Sequence, residues 1–63
     1  MNRNTEDPYS WGLESLDSDT REWCRFLRVE RDNARYFGDM VATAECAAVL
    51  NDILYRNGLP TEL

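Results

Sequence analysis

Apolar residues recur at helical spacing through the middle of the chain. At 3.6 residues per turn, Trp23, Phe26, Leu27, Ala34 and Phe37 share one face. Arg21, Arg25, Arg28 and Arg35 fall opposite, with Asp32 among them and Arg31 at the margin. This pattern predicts an amphipathic helix over about 19–37. The run Asp17-Ser18-Asp19-Thr20 supplies helix-capping residues. Asp19 with Glu22 three positions later resembles a capping box. Gly38 stands where a left-handed C-terminal cap is expected, and Asp39 suits the N-cap of a second helix.

That second helix is predicted over about 40–57. Met40, Thr43, Cys46, Ala47, Leu50, Ile53 and Leu54 form a broad face, and Glu45, Asp52 and Arg56 mark the opposite one. A helix apolar over more than half its circumference packs on more than one neighbour. Ala44, Ala47 and Ala48 permit close approach by another helix. Asn57-Gly58 ends the helix and Pro60 prevents it from resuming.

The fold class that follows is all-α: an antiparallel helical hairpin turning at Gly38-Asp39. The alternative is one long helix kinked at Gly38, since an internal glycine costs only about 1 kcal/mol relative to alanine. Residues 1–18 form an arm containing a short helical turn that Ser10 caps, and residues 19–63 form the hairpin and a short tail. Tyr9, Trp11, Leu13 and Leu16 fold back over the helices or dock elsewhere. The apolar surplus of the second helix predicts a homodimer, closing into a helical bundle.

The chain has 63 residues and a net charge of −5. A unit of roughly 60 residues buries only about 60% of its unfolded surface, so an additional stabiliser is expected. Two cysteines without histidine do not complete an ordinary zinc site. Across a hairpin, Cys24 and Cys46 are offset by about 9 Å along the axis, too far for a disulfide. Cys46 reads as a core residue and Cys24 as an exposed thiol. No signal-peptide pattern and no membrane-length apolar run occurs, which points to the cytoplasm, where thiols stay reduced.

Charge adds a further pattern. Every basic residue is arginine. Acids dominate residues 1–20, arginines residues 21–37, and acids again residues 38–63. The plain reading is a solvated helix face with local ion pairs, Arg28 with Asp32 and Asp32 bridging Arg31 and Arg35. The sharper reading is a contact stripe. An acidic partner protein is its first target, and nucleic acid its second. Glu30 interrupts the aromatic face where an apolar residue is expected. It reads as solvated edge, ion-pair member or specificity element at an interface. The acids of the first twenty residues read as solubility and helix-end compensation.

No phosphate loop, nucleotide fingerprint, metalloprotease pair or nucleophile–base arrangement is present. The expectation is a protein that is not an enzyme and uses no cofactor. It regulates a protein partner through a helical surface, as a phage-type inhibitor or small bacterial regulator would. Trp11, Trp23, Phe26, Phe37 and Tyr55 are the candidate anchors, with Arg25, Arg28 and Arg35 orienting the partner and Glu30 adding specificity. The alternatives are a nucleic-acid-binding regulator and a structural subunit of a larger assembly. In plan alone, a short acidic chain with two helices joined by a tight turn resembles the plasmid copy-number regulators. That resemblance implies a dimeric four-helix bundle and RNA binding, and it carries no residue over.

Overall fold

Two helices and a packed N-terminal segment build the chain in a computed structural model, which describes residues 7–62. The first six positions of the predicted arm, and Leu63, lie outside the described residues. Helix α1 spans Ser18–Tyr36 and helix α2 spans Met40–Arg56. They pack as an antiparallel hairpin, and no strand occurs among the described residues. No described helix is long and apolar enough to cross a membrane.

The turn is built as its sequence implies. Gly38 takes φ +77°. Its N–H donates to the Arg35 carbonyl (3.0 Å), and the Asp39 N–H donates to the Ala34 carbonyl (2.8 Å). These bonds close the orphan carbonyls of α1. The Asp39 carboxylate then accepts from the Ala42 N–H at 3.0 Å and starts α2. Gly58 (φ +73°) repeats the device at the other end. There the Leu59 N–H donates to the Leu54 carbonyl at 2.9 Å. A continuous kinked helix is therefore not what forms.

The start of α1 departs from expectation. Its N-cap is Asp17, which accepts from the Thr20 hydroxyl (2.6 Å) and backbone N–H (3.3 Å). Asp19, read as the cap, lies inside the first turn. The short N-terminal turn also comes earlier than predicted. It is a single 3-10 turn over Pro8–Ser10, capped by Asp7 in place of Ser10.

The core sits at the open end of the hairpin. Leu13 and Leu16 from the N-terminal segment meet Cys24 and Leu27 of α1 and Leu50 and Leu54 of α2, with Ile53 and Leu59 against them. Leu13 is 0% exposed. A two-helix interface leaves a groove, and these two leucines fill it.

The candidate anchors on α1 are exposed as expected, while the readings of the arginine face and of the two cysteines change. Helix α1 is rolled so that Cys24 and Leu27 point inward, while Trp23, Phe26 and Phe37 stand exposed. Around the axis, Cys24 lies only about 40° from Arg28 and about 20° from Arg31. Burying Cys24 therefore draws those two arginines inward, and their side chains are only 11% and 13% exposed. The arginine face is thus only partly solvated: Arg28 and Arg31 turn in, while Arg35 stays outward. The cysteines are also exchanged: Cys24 is fully buried and Cys46 half-buried, both as free thiols. The roll that exposes Trp23 is the same one that buries its neighbour.

Candidate functional site

Ion pairs and apolar contacts divide the predicted site residues into three groups. The first is a clasp around Arg28. Its Nη1 donates to the carbonyls of Tyr9 (3.0 Å) and Trp11 (2.8 Å). Its Nε and Nη2 edge faces the Glu62 carboxylate, with Nε at 3.1 Å. Arg31 Nη1 donates to the other oxygen of Glu62 at 2.8 Å. Two guanidinium groups thus converge on one carboxylate. The Asn51 side chain secures the same residue: its amide nitrogen donates to the Glu62 carbonyl, and its oxygen accepts from the Glu62 N–H at 2.6 Å. Both ends of the described chain are fastened to α1 by these bonds. An open cavity of about 410 Å³ lies alongside, lined by Pro8, Tyr9, Trp11, Arg28, Arg31, Asp32 and Glu62.

Burial pushes the Glu62 carboxyl up, but hydrogen bonds from Arg31 and Arg28 and their charges outweigh it, and the group stays below its ordinary range. A second tie repeats the logic. Arg25 pairs with Asp7, with Nε at 3.0 Å, and with Glu22 at 3.2 Å. The Arg25 hydrogen bond is the main reason the Asp7 carboxyl is lowered. Of the predicted local pairs, Asp32 does bridge Arg31 (3.4 Å) and Arg35 (3.9 Å). Arg28 does not join Asp32; it turns to Glu62.

The second group is an outward row on α1. The rings of Trp23 and Phe26 stack with centroids 5.4 Å apart and planes 12° from parallel. They are 47% and 51% exposed. Glu30 is exposed on the same side, and among the described residues no cation pairs with it. Phe37 ends the row at the hairpin turn, edge-on to Tyr36 at 5.1 Å. Met40 and Val41 continue the exposed apolar surface there.

Tyr55 is the third group, exposed on α2 apart from either cluster's aromatic contacts. Arg35 points outward with a side chain 56% exposed. The structure therefore unites Trp23, Phe26, Glu30 and Phe37 along one helix face. Trp11 goes with Arg28, and Arg25 goes to the N-terminal tie.

Reasoning from the sequence missed Asp7, Asn51 and Glu62. The signal for the two acids was the acidic–basic–acidic distribution: each acidic end neutralises arginines of the middle segment. Asn51 gave no signal beyond being the one amide inside an apolar helix. No known family model matches the chain, and neither a curated protein nor a solved structure does.

Proposed function

We propose that this protein is a non-enzymatic regulator that acts by binding another protein through the outer face of α1. The observation that carries this reading is the stacked Trp23–Phe26 pair, about half exposed on a long helix. Large aromatic rings left half in water forfeit about 1 kcal/mol each that full burial would return. Clustered exposed aromatics are the usual composition of interface anchors. Phe37, Met40 and Val41 enlarge the surface at the turn, and Tyr55 offers another anchor on α2.

Self-association belongs to the same reading, since a second copy is one way to cover the exposed apolar surface at the turn and on α2. Sedimentation at tens of micromolar tests it, and a monomer there removes the homodimer. The two free thiols suit a reducing compartment such as the cytoplasm. The nucleic-acid alternative loses its support, because Arg25, Arg28 and Arg31 are committed to Asp7, Glu22, Glu62 and Asp32.

The deciding experiment is partner recovery from an extract of the native cells. The intact chain is compared with a Trp23→Ala/Phe26→Ala variant. Loss of a specific partner in the variant supports the reading. Equal recovery by both sinks it.

A further inference from the structure

Six residues along α1 and its C-cap keep a four-three spacing: Asp19, Trp23, Phe26, Glu30, Asn33 and Phe37. All six are exposed. On an ideal helix they occupy an arc of about 80° and a length of about 27 Å. This is the spacing by which one helix receives another along a seam. The hairpin does not use it, because α2 and the N-terminal leucines pack on Cys24 and Leu27 instead.

We propose that this row is a docking seam for a helix of the partner protein, and that Glu30 selects a partner carrying an arginine or lysine within its own apolar seam. The proposal rests on the protein-binding reading above and names the partner's chemistry.

Charge decides the occupant. On α1, Arg25, Arg28, Arg31 and Arg35 are each within ion-pair distance of an acid of this chain, and Arg21, on the side of the helix away from the row, donates to the Leu16 carbonyl. The seam itself offers only Asp19 and Glu30 as charges. What α1 shows outward along this line is aromatic and negative. A carboxylate covered by a helix without a cation opposite is costly, so a neutral or acidic seam is rejected. A second copy of the chain fits poorly. Parallel pairing sets Glu30 on Glu30 and Asp19 on Asp19. Antiparallel pairing about the centre sets Glu30 against Phe26. A basic amphipathic helix satisfies both needs: apolar residues cover Trp23 and Phe26, and its cation meets Glu30. The acidic partner expected for an outward arginine stripe is thereby replaced by a basic one.

The test uses the full chain and two dye-labelled probe helices of about three heptads. Both carry leucine along the seam; one has arginine opposite Glu30 and the other glutamate there. Fluorescence anisotropy reads the binding. The arginine probe is expected to bind about tenfold tighter than the glutamate probe. The Glu30→Arg chain is expected to reverse that order. Trp23→Ala/Phe26→Ala is expected to weaken both probes by about tenfold or more. These side chains are exposed, and circular dichroism of each variant verifies the helices.

If both probes bind through the aromatic pair but without preference, or Glu30→Arg does not reverse it, the charge inference is overturned and the protein-binding reading stands. Should neither probe bind the intact chain, the seam is overturned, and partner recovery alone judges the broader reading. Binding that survives Trp23→Ala/Phe26→Ala overturns the seam as well.

Discussion

Arg28 meets Glu62 across 34 positions of sequence, its Nε 3.1 Å from the carboxylate. The same guanidinium donates to the carbonyls of Tyr9 and Trp11. One side chain therefore holds the N-terminal segment and the C-terminal tail on opposite edges of its planar fork. Because it is nearly enclosed, its bonds are little shared with water. Arg28→Met keeps much of the stem and removes the fork. The expected loss of stability is about 2–3 kcal/mol, read as a lower urea midpoint. Backbone amides of residues 9–13 and of Glu62 should exchange faster. An unchanged midpoint contradicts the clasp.

Acid should loosen the same contact. The folded-state value of Glu62 is depressed below its usual 4.5. A depressed carboxylate contributes its stability in full above the unfolded value and loses it as pH falls through the folded value. Stability is therefore expected to decline as pH drops below about 4.5. Asp7, held down by Arg25, and Asp17, held down by Thr20, add to the same trend. Glu62→Gln should be less stable at neutral pH and show a shallower decline on acidification. Urea titrations at several pH values check both slopes.

The core assignment separates two apolar residues, Leu13 inside and Trp23 half exposed. Leu13→Ala empties a fully buried site and is expected to cost about 2–4 kcal/mol. Trp23→Ala removes a ring 47% exposed and is expected to cost well under half as much. Thermal or urea unfolding of the pair gives the comparison. A larger loss for Trp23 would place the core on the other face of α1.

Thiol chemistry offers an independent check of the roll of α1. Cys24 is fully enclosed, and burial pushes its thiol up, offset in part by the nearby Arg28 charge. In the folded protein a thiol reagent is expected to modify Cys46 first. Cys24 should react only at the rate of opening, and both should react quickly in denaturant. Faster labelling of Cys24 would refute the roll.

At the turn, Gly38 has open space where a side-chain carbon would be added, so its role is conformational. With φ at +77°, Gly38→Ala is expected to cost about 1 kcal/mol or slightly more. D-alanine at the same position should be close to neutral. A stability scan of the two synthetic chains reads the difference.

The helices, the turn and their caps were legible because they depend on neighbours within a few residues. Gly38 and Asp39 end one helix and start the next through hydrogen bonds to Arg35, Ala34 and Ala42. Asp19 was mistaken for the first cap because Asp17 offers the same chemistry two residues earlier, and only the hydrogen bond to Thr20 distinguishes them. The side of α1 that turns inward was not legible. A helical wheel ranks faces by their own polarity, and it does not tell whether the face of Trp23, Phe26 and Phe37 packs inside or meets a partner.

The sequence by itself determined an all-helical hairpin, its turn, and the row of aromatics with Glu30 in it. Tertiary structure alone decided that this row faces water and that Arg28 and Arg31 face inward. The physical reason is the reach of the chain ends. Leu13 and Leu16 arrive to fill the groove beside Cys24 and Leu27, and Glu62 and Asp7 arrive to neutralise the arginines. With those distant partners in place, an arginine stem is acceptable against the core and the aromatic face is left over.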